Sequence, residues 1–232
     1  MSTHDDTKES KEGWIKPRPP RMYVNPLPVR IWHWVNALGF ILLILTGLQI
    51  RYADLYSLMS FETAVKTHNW IAFTVIGNYF IWLGFYLFTD NIKVYLPELD
   101  AKKFFDRAFR QILHYSYGIF RGRKGPHKVL PLDKFNALQS MTYQVVMLLI
   151  VPIQFVTGIM MWDVKRFEKP IAMLGGIENV DLVHMLIFIF FVGFIIAHSY
   201  MGALGHSRTA HFKEMFTGYK DEPKDDERTP RL

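Results

Sequence analysis

Four stretches of this 232-residue chain contain no Asp, Glu, Lys or Arg: residues 31–50, 67–89, 135–162 and 182–207. An α-helix needs roughly 20 apolar residues to cross the hydrocarbon core of a bilayer. Lipid offers the backbone no hydrogen bonds, so an apolar run of that length is expected to be helical. The chain is therefore expected to be an all-α membrane protein with four spans. Half of it is hydrophobic and 16% aromatic, an unusual load for a soluble domain of this size. The mean hydropathy is only +0.08, because it averages the four runs with polar ends and a polar connection at 90–134.

Charge orients the bundle. With four spans, residues 1–30, 90–134 and 206–232 share one side, and they carry 22 of the 27 basic residues. The positive-inside bias places that side, with both termini, in the cytoplasm. Because the basic residues flank spans on one side, topology accounts for a pI near 9.4 and nucleic-acid binding is not expected. Residues 1–28 lack the apolar core and small-residue cleavage site of a signal peptide, so the first helix is expected to be its own insertion signal. The expected organisation is a proline-rich cytoplasmic tail at 1–28, a four-helix membrane domain at 29–205, and a cytoplasmic tail at 206–232. The tail at 1–28 is expected to be flexible or laid along a partner. Within the loop 90–134, residues 98–120 show helical periodicity: Phe105, Ala108, Phe109 and Ile112 recur at spacings of three or four, with Lys102, Lys103, Arg107 and Arg110 around them. This suits an amphipathic helix on the inner membrane surface, or a docking site for a cytoplasmic partner. Pro152 falls inside the third run, where it kinks the helix or is accommodated by its neighbours.

Histidine is the informative residue inside the runs. His184 and His198 are fourteen positions apart in one charge-free stretch, about 21 Å of rise and nearly four whole turns, so both face the same way at different depths. Given alternating helix directions, His33 opens the first span at its inner side and His68 opens the second at its outer side. The depths pair His33 with His198 and His68 with His184. Two neutral imidazoles from different helices supply both axial positions of a haem iron, so the constellation suits two hexacoordinate haems and electron transfer, with no position open for oxygen or substrate. Zero cysteines exclude disulfides, thiolate iron–sulfur ligation and covalent c-type attachment. The remaining histidines, His4, His114, His127, His206 and His211, are expected to be surface residues. Arg30 is the inner candidate partner for a haem propionate, and Arg51 or Lys66 the outer ones, interfacial snorkelling being the alternative. Leu45-Thr46-Gly47 and Val156-Thr157-Gly158 echo each other near the outer ends of the first and third spans, where small residues permit close approach of a flat group or of another helix. An apolar patch at Ile171-Ala172-Met173-Leu174 in the second outer connection is a candidate docking element.

Arg30-Ile31-Trp32-His33-Trp34, Leu45-Thr46-Gly47, His68 at the start of the second helix and the His184/His198 spacing together resemble the dihaem cytochrome b subunits of membrane-bound nickel–iron hydrogenases and respiratory formate dehydrogenases, with relatives in thiosulfate-reductase-like complexes. The resemblance covers about residues 25–220. It implies a four-helix bundle enclosing two b haems, with the same inner and outer histidine pairs. It also implies electron transfer between a periplasmic oxidoreductase module, with iron–sulfur, multihaem or catalytic subunits, and a quinone, menaquinone or ubiquinone. Phe135-Asn136-Ala137-Leu138-Gln139 resembles the Asn-Ala-Gly-Gln stretch of the formate dehydrogenase type, with Leu138 in place of glycine. On that likeness Asn136 is a quinone hydrogen-bond partner, and Gln139 and Tyr200 are further quinone candidates; a helix N-cap is the other role open to Asn136. The resemblance implies the cytoplasmic membrane of a bacterium or archaeon, and an electron-transfer subunit of a respiratory complex rather than a stand-alone catalyst. Alternatives are a quinol-oxidising subunit feeding a periplasmic reductase of the thiosulfate type, and a haem-free anchor or proton relay.

Overall fold

A computed structural model describes residues 21–89, 100–123, 125–127, 135–203 and 209–221. In chain order a short strand β1 (Arg21–Tyr23) leads into α1 (Leu27–Arg51) and α2 (Phe61–Leu87), followed by α3 (Ala101–Leu113), which continues through a wide turn at His114–Gly118 and a tight one at Ile119–Arg121. The third long helix has two parts, α4 (Ala137–Val145) and α5 (Val151–Trp162), joined by a π-helical turn at Val146–Ile150. A short α6 (Glu168–Met173), the long α7 (Ile177–Gly202), α8 (Ala210–Thr217) and strand β2 (Tyr219–Asp221) complete the described chain.

Four helices are long and apolar enough to cross a membrane: Leu27–Arg51, Phe61–Leu87, Ala137–Trp162 and Ile177–Gly202. Their apolar stretches are largely turned outward, with only 11% of the α7 window and 17% of the α1 window buried. Continuous apolar surface on that scale is incompatible with water and fits hydrocarbon. The core is correspondingly thin and lies along the bundle axis, where Trp32, Tyr79, Trp82, Tyr86, Val146 and Phe191 pack together.

α1 and α2 approach closely at Gly39, where a Cβ would come within 2.5 Å of Val75 Cγ2. The pair is tied by Asn78, whose buried amide donates to the Trp32 carbonyl at 3.0 Å. Their short connection is stitched by Gln49, only 2% exposed: its amide donates to the Met59 carbonyl and its oxygen accepts from Leu58 N at 3.1 Å. Ser60 then caps α2 by accepting from Thr63 N.

Pro152 is accommodated within its own helix. Val151 N donates to Val146 O, five residues back, so the carbonyl next in line, Met147, faces Pro152, which has no N–H. The Tyr79 hydroxyl of α2 donates to that carbonyl instead, at 3.0 Å.

The segments outside the spans depart from the expected picture of two tails. Residues 21–25 are laid along the chain's own C-terminal segment: β1 pairs antiparallel with β2, Tyr23 opposite Tyr219, and Val24 N and Asn25 N both donate to Gly218 O. Gly218 ends α8 at φ +84°, and a Cβ there would sit 2.8 Å from the Asn25 carbonyl, so two independent constraints ask for glycine. α8 is a second departure. Its Phe212 and Phe216 pack on Trp34, whose indole donates to Met215 O at 3.1 Å. Residues 1–20, 90–99, 204–208 and 222–232 and most of 124–134, and with them His4 and His206, lie outside the described residues.

Candidate functional site

His33 lies on α1 one turn beyond Arg30 and faces His198 of α7, with ring centroids 6.2 Å apart and planes tilted by 46°. Trp34 abuts His33 edge-on at 5.1 Å, and Phe194 stacks on His198 at 5.7 Å. Near the start of α1, His33 Nδ1 and Arg30 Nε are buried with no hydrogen-bond partner among the described residues, as is Nε1 of Trp32, whose indole stacks on Trp82 in the core. Arg30 spends Nη1 on the Phe216 carbonyl of α8, which holds its guanidinium beside the start of α1. Leaving a buried polar group unpaired costs about 1–3 kcal/mol, so His33 Nδ1 and Arg30 Nε each suit a polar or charged partner.

At the opposite end of the bundle His68 of α2 and His184 of α7 occupy one level. Gly47 of α1 lies against both helices: a Cβ there would be 3.5 Å from His68 Cε1 and 4.0 Å from Phe188, one turn along α7 from His184. His68 Nδ1 is 2.9 Å from Thr46 Oγ1, and His184 Nδ1 is 3.0 Å from Thr157 Oγ1. Gly158 repeats the role of Gly47, since a Cβ there would be 3.2 Å from His184 Cε1. The Gln154 amide meets His184 Nε2 at 3.1 Å, while its oxygen is buried without a partner among the described residues. Thr46, Thr157 and Gln154 were not singled out as site residues by the sequence. A Thr-Gly pair also reads as helix packing, and only its repetition in two spans sets it apart.

The donor sets decide what could bind. Among the described residues no group of three or more His, Cys, Asp or Glu forms a metal centre. Each histidine pair offers two nitrogens, which suits a metal whose equatorial positions are already filled, as in haem. A ligating imidazole nitrogen lies about 2 Å from its metal, which puts two such rings on opposite sides of one ion roughly 6 Å apart. The 6.2 Å separation of His33 and His198 matches that spacing.

The remaining candidates are variously engaged. Arg51 pairs with Asp181 at 3.4 Å and Lys66 with Glu62 one turn away, both exposed. Asn136 and Gln139 form a reciprocal cap at the start of α4, Gln139 N donating to Asn136 Oδ1 at 3.0 Å and Asn136 N to Gln139 Oε1 at 3.1 Å. The Asn136 amide also donates to the Tyr115 hydroxyl at 3.0 Å, a partner the sequence did not suggest. Tyr200 is half exposed near the end of α7. Of the apolar patch in the outer connection, Ile171 is buried and Met173 is 88% exposed, so only part of it is free to dock. His211 sits outside the bundle beside Glu214.

No solved structure matches the chain. "Putative cytochrome YdhU" of Escherichia coli (strain K12) is 29% identical over 203 residues, covering 86% of this chain and 74% of that protein. "Putative protein-methionine-sulfoxide reductase subunit YedZ1" of Azospira oryzae is 23% identical over 191 residues, 78% of this chain and 90% of that protein. The family model described as prokaryotic cytochrome b561 matches residues 24–218, from the start of the ribbon-to-helix junction to the end of α8. The chain belongs to the prokaryotic cytochrome b561 family and is a multi-pass membrane electron-transfer protein that binds haem b.

Proposed function

We propose that the chain is a dihaem cytochrome b subunit that carries electrons between a periplasmic oxidoreductase module and the quinone pool of a prokaryotic cytoplasmic membrane. His33 and His198 hold the inner haem and His68 and His184 the outer one. The observation that carries this is the pair of two-histidine clusters at opposite ends of one bundle, with α7 contributing a ligand to each, fourteen residues apart. Haem would supply reversible one-electron transfer there, and the chain's part would be to offer it an imidazole nitrogen from each histidine of a pair, exclude water with its aromatic packing and provide polar partners at the edges. Arg30, with Nε unpaired, is the inner propionate partner.

Asn136, Gln139 and Tyr200 are proposed on the quinone side, at the inner end. The cap leaves Asn136 one amide proton beyond that given to Tyr115, so it can still donate to a quinone carbonyl. For the direction of flow, the Azospira relative's description as a methionine-sulfoxide reductase subunit favours outward transfer: quinol gives two electrons and two protons, and the electrons leave through the outer haem to a periplasmic reductase. The hydrogenase or formate dehydrogenase type of partner runs the same path inward.

A dithionite-reduced minus oxidised spectrum with pyridine haemochrome quantification of the detergent-purified chain is expected to give about two b haems per chain. His184→Ala and His198→Ala should each leave one, with different midpoint potentials. Protein that stays colourless despite adequate haem supply, or a His184→Ala variant with both haems, overturns the assignment.

A further inference from the structure

The outer histidines differ from the inner pair in one respect that hydrogen-bond arithmetic resolves. A threonine hydroxyl has one proton and two lone pairs. Thr46 Oγ1 donates to the Leu42 carbonyl of its own helix at 2.8 Å, with the Leu43 carbonyl at 3.3 Å. Its proton is thereby committed, and at 2.9 Å from His68 Nδ1 it can only accept. Thr157 repeats the pattern on α5: Oγ1 donates to Ile153 O at 2.8 Å, with Gln154 O at 3.0 Å, and lies 3.0 Å from His184 Nδ1. With each hydroxyl proton given to its own helix, the proton between threonine and histidine is the imidazole's Nδ1–H. Gln154 gives an independent indication, since its amide nitrogen, a donor only, meets His184 Nε2 at 3.1 Å, which requires a lone pair on Nε2. Gly47 and Gly158, each directly after its threonine, leave the space into which the Cε1 edge of the ring fits.

We propose that Thr46 and Thr157 are positioning residues that lock His68 and His184 with the proton on Nδ1, so that both Nε2 lone pairs are presented to one haem iron at the outer site. This rests on the assignment of those histidines as ligands. Two consequences follow. An accepting oxygen on Nδ1–H raises the basicity of the ligating nitrogen, which favours the ferric state and lowers the potential of the outer haem. The lock also fixes ring orientation before haem arrives. His33, whose Nδ1 has no partner among the described residues, lacks such a lock. A metal held at His184 Nε2 would take the place of the Gln154 amide, which meets that nitrogen at 3.1 Å.

The test is potentiometry and haem quantification on the full-length chain carrying Thr46→Val, Thr157→Val, the double change, Thr46→Ser and His68→Ala. Valine keeps the shape and removes the acceptor; serine restores it. Each valine variant is expected to raise the midpoint potential of one haem only and to weaken retention of that haem by about tenfold. The double variant should be additive or worse, and serine should return wild-type values. If His68→Ala loses one haem while both valine variants leave potentials and retention unchanged, the lock is wrong and the ligand assignment stands. If His68→Ala keeps both haems, the ligand assignment fails and the lock with it. A valine variant that does not accumulate is replaced by Thr→Ala, which also removes the acceptor and for which unaltered potentials and haem retention count against the proposal.

Discussion

Tyr79 illustrates how a single side chain serves the backbone in this bundle. Its hydroxyl reaches the one carbonyl, Met147, that the π turn directs at a proline nitrogen. Tyr79→Phe should therefore leave a bare carbonyl in an apolar span and cost about 1 kcal/mol, a typical value for an interhelical hydrogen bond in a membrane, read as earlier thermal loss of the haem spectrum. The histidines stood out in the sequence because an ionisable group inside a charge-free run is conspicuous, and their expected depths follow from helix rise together with the alternating direction of the spans. Thr46, Thr157 and Gln154 sit in the same runs but are common residues of helix interfaces. Only three-dimensional placement shows which atoms their hydroxyls and amide meet. Asn136 was legible as a polar residue at a helix start, and the structure gives it the cap geometry together with an unforeseen bond to Tyr115.

Among the elements, the third span shows why Pro152 is tolerated at mid-membrane: an extra residue in the turn absorbs the ring, and a neighbouring helix supplies the missing donor. Pro152→Ala gives Met147 an N–H of its own, so the cost of Tyr79→Phe should shrink in that background, and a double-mutant cycle that finds the two changes additive would contradict this account. α3 was legible from its periodicity. Ala108 and Gln111 are buried, while Phe105, Phe109 and Ile112 are exposed alongside Lys102, Lys103 and Arg110, the distribution expected of a helix lying in the membrane interface. Phe105→Trp in liposomes should emit in the blue and be quenched by brominated lipid chains; red emission insensitive to the lipid would put that face in water. α8 was not legible, because eight residues with four of them charged or polar at irregular spacing carry no recognisable period.

For the whole molecule, the number and length of the spans were fixed by the run lengths, since lipid admits few alternatives to a helix. How the ends close on each other was not, because pairing of β1 with β2 depends on contacts across nearly the full length of the chain. Removing residues 209–232 takes away the Phe216 carbonyl that holds Arg30 and the Met215 carbonyl that holds Trp34. A chain so shortened should retain the haem bound by His68 and His184 and lose occupancy preferentially at His33 and His198. Equal loss of both haems would show that α8 supports the bundle generally and not its inner end.

That ribbon also sets a timetable. Arg30 and its acceptor Phe216 are 186 positions apart, so at about 5–20 residues per second the ribosome needs roughly 10–40 s after making the start of α1 to produce the residue that steadies it. His68 and Thr46, only 22 positions apart, meet early. The contact between α1 and α2 around His68 can thus form while the chain is still being made, whereas Arg30 and Trp34 wait for α8, so a ribosome stalled between α7 and α8 leaves both histidine pairs synthesised and the inner one without its support.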